Sequence, residues 1–80
     1  MFLTLISGAQ IDIDPQNVKS VDMRQTRPGN THSDWLICVR VSTGLRSSIE
    51  YPVSRHADES TAKEHRDSLE KQISELIAND

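Results

Sequence analysis

Asp12 and Asp14 stand two apart on a stretch that alternates apolar and polar residues, so both carboxylates project from one side of an extended strand. Such a pair serves glycoside hydrolysis or cation binding only inside a cleft with further ligands. Ile11 and Ile13 claim the buried side of this strand, which leaves the two aspartates on a solvated face. His32, His56 and His65 are the imidazoles, and none has the spacing of a metal-binding pair on a helix. His65 falls at the border of a helical apolar stripe. Cys38 is the single cysteine, which excludes an internal disulfide and a cysteine-based zinc finger. It lies on the polar face of its strand between Leu36 and Arg40, without a neighbourhood that would activate a thiol. There is no G-x-S-x-G, no G-x-x-x-x-G-K and no G-x-G-x-x-G, and the three glycines sit in turns. The expectation is a chain with no catalytic residues, no metal and no cofactor.

Charge is more informative. Arg24, Arg40 and Arg46, with Arg27 beside them in a loop, are candidate contacts for an anion or an acidic partner. Glu64, Asp67, Glu70 and Glu75 are the opposite candidates, on an acidic C-terminal helix. From Asp58 to Asp80 seven acids face three bases, a net of −4. The whole chain carries 9 basic and 12 acidic residues, a net of −3, which argues against a general polyanion binder. Leu36, expected to be exposed on the sheet, is a candidate interface anchor.

These groups are positioned by two kinds of pattern. Residues 2 to 53 alternate with a period near two, and residues 58 to 78 follow a helical period. Phe2 to Ile6 and Ala9 to Asp14 read as a hairpin around a three-residue loop, Ile6-Ser7-Gly8. That loop pairs Leu5 with Ala9, Leu3 with Ile11 and Met1 with Ile13, which keeps one face apolar. It also puts Gly8 where a left-handed residue is needed. Pro15 to Asn17 is a turn, and a third strand runs from about Val18 to Gln25. Thr26 to Asp34 is a polar loop, expected to be the most mobile internal segment. Trp35 to Val41 and Leu45 to Val53 form a second hairpin by the same logic, around Ser42-Thr43-Gly44. It pairs Val41 with Leu45, Ile37 with Ile49 and Trp35 with Tyr51, and it sets Arg40 opposite Arg46. Asp22 or Glu50 would then have to neutralise the arginines. Pro52 places the end of the fifth strand at an edge.

The helix begins between Asp58 and Thr61, where Asp58, Ser60 and Thr61 are all possible caps. Thr61 with Glu64 fits a capping box. Ala62, Leu69, Ile73, Leu76 and Ile77 form its apolar stripe. The economical architecture is an α+β domain, an antiparallel sheet of about five short strands with two glycine hairpins, packed on one C-terminal helix. The 80 residues suffice for one domain, with the sheet in 1–53 and the helix in 58–78. The core is small, so either a monomer or a homodimer is compatible with it. No apolar run is long enough to span a membrane, and no basic leader precedes the first strand, so a cytoplasmic location is expected.

Leu3, Leu5, Gly8, Ile11, Ile13, Pro15, Val18 and Val21, then Ile37, Val39, Gly44, Tyr51 and Val53, resemble the pattern of the small flagellar protein family FlbD. The resemblance covers residues 1 to about 55. It implies two glycine hairpins, a turn before a hydrophobic strand, and a structural or regulatory role. Asp14-Pro15 stands where that family has Asn-Pro, and the loop after Thr26 and the long helix are departures. In size, charge and missing chemistry the chain is also similar to short phage-encoded proteins, anti-CRISPR inhibitors among them.

Two functions follow as expectations. The first is a non-enzymatic protein-binding module that occludes a basic surface of a larger protein or complex, as a phage-type inhibitor of a nucleic-acid-binding complex would, in the host cytoplasm. The second is an anion or nucleic-acid contact through the arginine cluster.

Overall fold

The computed structural model describes residues 1–29 and 32–79; Asn30 and Thr31, in the loop expected to be mobile, and Asp80 lie outside the described residues. The strands are β1 (Phe2–Thr4), β2 (Gln10–Asp12), β3 (Val18–Gln25), β4 (Trp35–Ser42) and β5 (Ser48–His56), and the helix is α1 (Glu59–Ala78). The α+β architecture is as the residue pattern implies. The strands divide between two sheets, however: the hairpin β1–β2, and the antiparallel sheet β3–β4–β5 with β4 in the middle. Pro15–Asn17 is a turn of 3-10 helix between them, capped by Asp14, whose Oδ1 accepts from the Gln16 amide at 3.0 Å. That turn redirects the chain before β3 begins.

The first hairpin has the expected register. Leu3 faces Ile11, the Leu5 amide donates to the Ala9 carbonyl at 2.8 Å, and the Ile13 amide donates to the Met1 carbonyl at 2.8 Å. Gly8 has a φ of +90°, a region that a side chain would strain. Leu3 and Ile13 are buried as a result of this register.

The second hairpin departs from expectation. Gly44 is not left-handed, and the turn is longer, closed by the Thr43 amide on the Ser47 carbonyl at 3.0 Å. Val41 therefore faces Ile49 rather than Leu45, and Val39 faces Tyr51. Trp35 faces His56, so the expected Trp35–Tyr51 pair does not form. As far as Pro52 the slip is of four residues, which leaves each side chain on its original face, so the core face stays apolar in either register. The electrostatics differ. Arg40 lies opposite Glu50 instead of Arg46, which replaces a like-charge pair by an attractive one. The slip leaves Leu45 in the turn, fully exposed.

A bulge follows at Val53, because Cys38 pairs with Pro52 while Ile37 pairs with Ser54. Pro52 is on an edge strand, and its carbonyl faces outward to accept the Ile6 amide at 3.2 Å. The first hairpin is thereby tied to the β5 edge.

Asp58 is the N-cap of α1: its Oδ2 accepts from the Thr61 amide at 3.2 Å and from the Thr61 hydroxyl at 3.1 Å. Thr61 is thus the cap's donor rather than the start of a capping box with Glu64. Ala62 and Ile73 bury themselves against the sheet, with Leu69 partly covered and Leu76 and Ile77 left exposed. They meet Val21, Ile37, Val39 and Val41 from the sheet and Leu3 and Ile13 from the first hairpin. Ile37 and Val39 of the central strand are fully buried, and each such side chain contributes ~1.5–3 kcal/mol. Among the described residues no helix is long and apolar enough to cross a membrane.

Candidate functional site

Two surfaces carry the candidate residues: the sheet face turned away from α1, and the outward side of α1 itself. The register places Asp22 and Arg24 of β3, Leu36, Cys38 and Arg40 of β4, and Glu50 and Arg55 of β5 on the first. Glu50 organises this face. One of its carboxylate oxygens holds Arg24 at 2.5 Å, and the other lies 3.6 Å from Arg40. The contact between Arg24 and Glu50 spans the central strand, from β3 to β5.

Cys38 sits on that central strand. It is on the polar face, as its place in the alternation implies, but only 3% exposed. Its thiol is pushed up from 9.0 to about 11, by burial first, then by a hydrogen bond to Glu50 and that group's negative charge. A neutral, covered thiol is a poor nucleophile. At the far end of the face the Arg55 Nε donates to Asp34 at 2.6 Å.

The arginine cluster expected from the sequence is not assembled. Arg24 and Arg40 are joined through Glu50, while Arg46 is in the β4–β5 turn and Arg27 is in the loop after β3. The Arg27 amide is engaged by the Ser33 hydroxyl at 2.8 Å. Leu36 is half-buried rather than exposed, with Arg24 and Arg55 as its register neighbours. Glu50, expected with Asp22 as the counter-charge, is the acid that pairs with the arginines, whereas Arg55 and Asp34 are the residues that sequence reasoning missed as parts of this face. The observed register brings Glu50 directly opposite Arg40.

The acidic helix is exposed, but its four candidates do not form one patch. Steps of three and four keep residues on one helix side, so Glu64, Asp67, Lys71 and Glu75 make a single row. Ala62, Leu69 and Ile73 occupy the opposite side, against the sheet. Glu70 is on the flank nearest β3, where it lines an open groove of about 260 Å³ with Val18, Lys19, Val21, Ile73 and Ile77. Asp67 pairs with Arg66 at 3.1 Å. Glu64, Glu70 and Glu75 make no ion pair among the described residues.

The other polar candidates are held locally. Asp12 pairs with the N-terminal ammonium at 3.2 Å, and Asp14 caps the following turn. His56 and His65 stack across β5 and α1 with ring centroids 4.3 Å apart, a contact between distant elements that no spacing reveals. Among the described residues no three His, Cys, Asp or Glu side chains are grouped to hold a metal ion. In comparison with known proteins the chain matches no family model, no curated protein and no solved structure.

Proposed function

We propose that the chain is a non-enzymatic protein-binding module that acts by occlusion, laying the outward row of α1 over a basic surface of a larger partner. One contrast supports this reading. Glu64 and Glu75 are exposed on α1 and make no ion pair among the described residues, whereas Arg24, Arg40 and Arg55 on the sheet face are already matched by Glu50 and Asp34. Unmatched exposed charge steers and orients a partner, while matched charge must first be separated from its counter-ion. Basic surfaces are characteristic of proteins that handle nucleic acid, which makes such a complex the partner class. Inhibition of it, in the manner of a phage-encoded anti-CRISPR protein, is the sharpest form of the proposal.

The test is capture from cell lysate with the tagged chain and with a variant carrying Glu64→Gln, Asp67→Asn, Glu70→Gln and Glu75→Gln. The expected result is a basic, nucleic-acid-handling complex that washes off with salt and that the variant does not retain. Equal retention by the variant would remove α1 from the account. The alternative is an anion contact on the sheet face, supported by two guanidiniums sharing one carboxylate, which leaves N–H donors unspent. Heparin retention at low salt, lost on Arg24→Gln with Arg40→Gln, would favour it instead.

A further inference from the structure

β3 and β5 are the two edges of the larger sheet, and only β5 is covered, by the Ile6 contact to Pro52. Among the described residues the outer edge of β3 is paired with no other strand. Its hydrogen-bonding direction can be read from its end. The Thr26 amide points inward, donating to the Asp34 carbonyl at 2.9 Å. Backbone direction alternates along a strand. The amides and carbonyls of Asp22 and Arg24 therefore also point inward, and those of Val21, Met23 and Gln25 point out. A bulge between Val18 and Ser20 ends the regular edge on the other side. Three consecutive outward-facing residues are left, centred on Met23.

We infer that this chain forms a two-fold dimer by antiparallel pairing of β3 with β3 of a second copy, centred on Met23. Two independent features select this register. It engages all three outward residues on each copy, with Met23 facing Met23 and Val21 facing Gln25, for six main-chain hydrogen bonds. It also sets Asp22 of each copy directly opposite Arg24 of the other. A shift to a centre at Asp22 would oppose two aspartates, and a centre at Val21 would bring the bulged Lys19 into the ladder. The two chains thus complement each other in charge and in backbone direction at one register only. Arg24 reaches Glu50 within its own chain but is half exposed, and its five donors serve a second carboxylate as well. The outcome is a continuous six-stranded sheet, with the outward row of α1 left clear on both copies.

Sedimentation equilibrium at sub-millimolar concentration tests this. The wild-type chain is expected at twice its 9.0 kDa mass. Met23→Pro removes an outward amide together with a side chain packed at the margin of the core, so it should lose some stability, remain folded by circular dichroism and become monomeric. Asp22→Arg places like charges opposite each other twice and should weaken the dimer by about tenfold or more. Arg24→Asp should do the same, and mixing these two charge variants should restore a dimer between them. A wild-type monomer would overturn the inference. So would a dimer that neither Asp22→Arg nor Arg24→Asp weakens, which also covers the case that Met23→Pro fails to fold.

Discussion

Arg40 stands directly opposite Glu50 across β4 and β5, and the same carboxylate holds Arg24 from β3. One acid therefore ties all three strands together on the face that α1 leaves bare. Glu50→Gln should leave the two guanidiniums without the carboxylate they share. Both arginines are well exposed, so the expected loss is modest, ~0.5–1 kcal/mol. It should shrink at high salt, where exposed charges are screened. Urea unfolding of both chains at low and high ionic strength checks this. An unchanged midpoint at low salt would mean that Glu50 contributes nothing to the sheet.

Cys38 carries a pH dependence of defined sign. Its folded titration, at about 11, lies above the ordinary 9.0. The unfolded chain thus loses the thiol proton first as pH rises. Stability from this source is complete below about pH 9 and declines through the interval up to about 11. Cys38→Ala should abolish that part of the decline, as read by urea midpoints on either side of pH 9. The native thiol should also react slowly with a disulfide reagent until the chain unfolds. Rapid reaction at neutral pH would contradict its burial.

Asp58 accepts two hydrogen bonds from Thr61 at the start of α1. Asp58→Ala should cost ~1 kcal/mol, and Asp58→Ser should recover most of it. Thermal melts followed by circular dichroism measure both. Glu64→Ala should leave stability nearly unchanged, because Glu64 has no part in the cap.

The first hairpin was legible because only one loop length keeps its apolar residues together and gives Gly8 a left-handed place. β3 and the start of α1 were legible for similar reasons, a run of alternation and a set of capping residues. The β4–β5 register was not, because alternation has a period of two and is blind to a slip of four. Gly44 looked like Gly8 but belongs to a longer turn. What distinguishes the registers is charge, Arg40 with Glu50 against Arg40 with Arg46, and the Val53 bulge, which leaves no mark in the pattern. The same slip dissolved the expected arginine cluster. The burial of Cys38 was hidden as well, since it depends on its neighbours across the sheet rather than on its own place in the alternation. On α1 the acids were legible as exposed, but helical geometry separates Glu70 from the row of Glu64, Asp67 and Glu75.

The central claim, that α1 binds through its outward acids, is tested most directly by titrating the purified partner against salt. Affinity is compared for the wild-type chain, for Glu64→Gln with Asp67→Asn and Glu75→Gln, and for Arg24→Gln with Arg40→Gln. The account predicts that the helix variant binds more weakly and that its affinity depends less on salt, with the arginine variant close to wild type. A helix variant with unchanged affinity and salt slope, beside an arginine variant that no longer binds, would contradict the account and move the binding surface to the sheet.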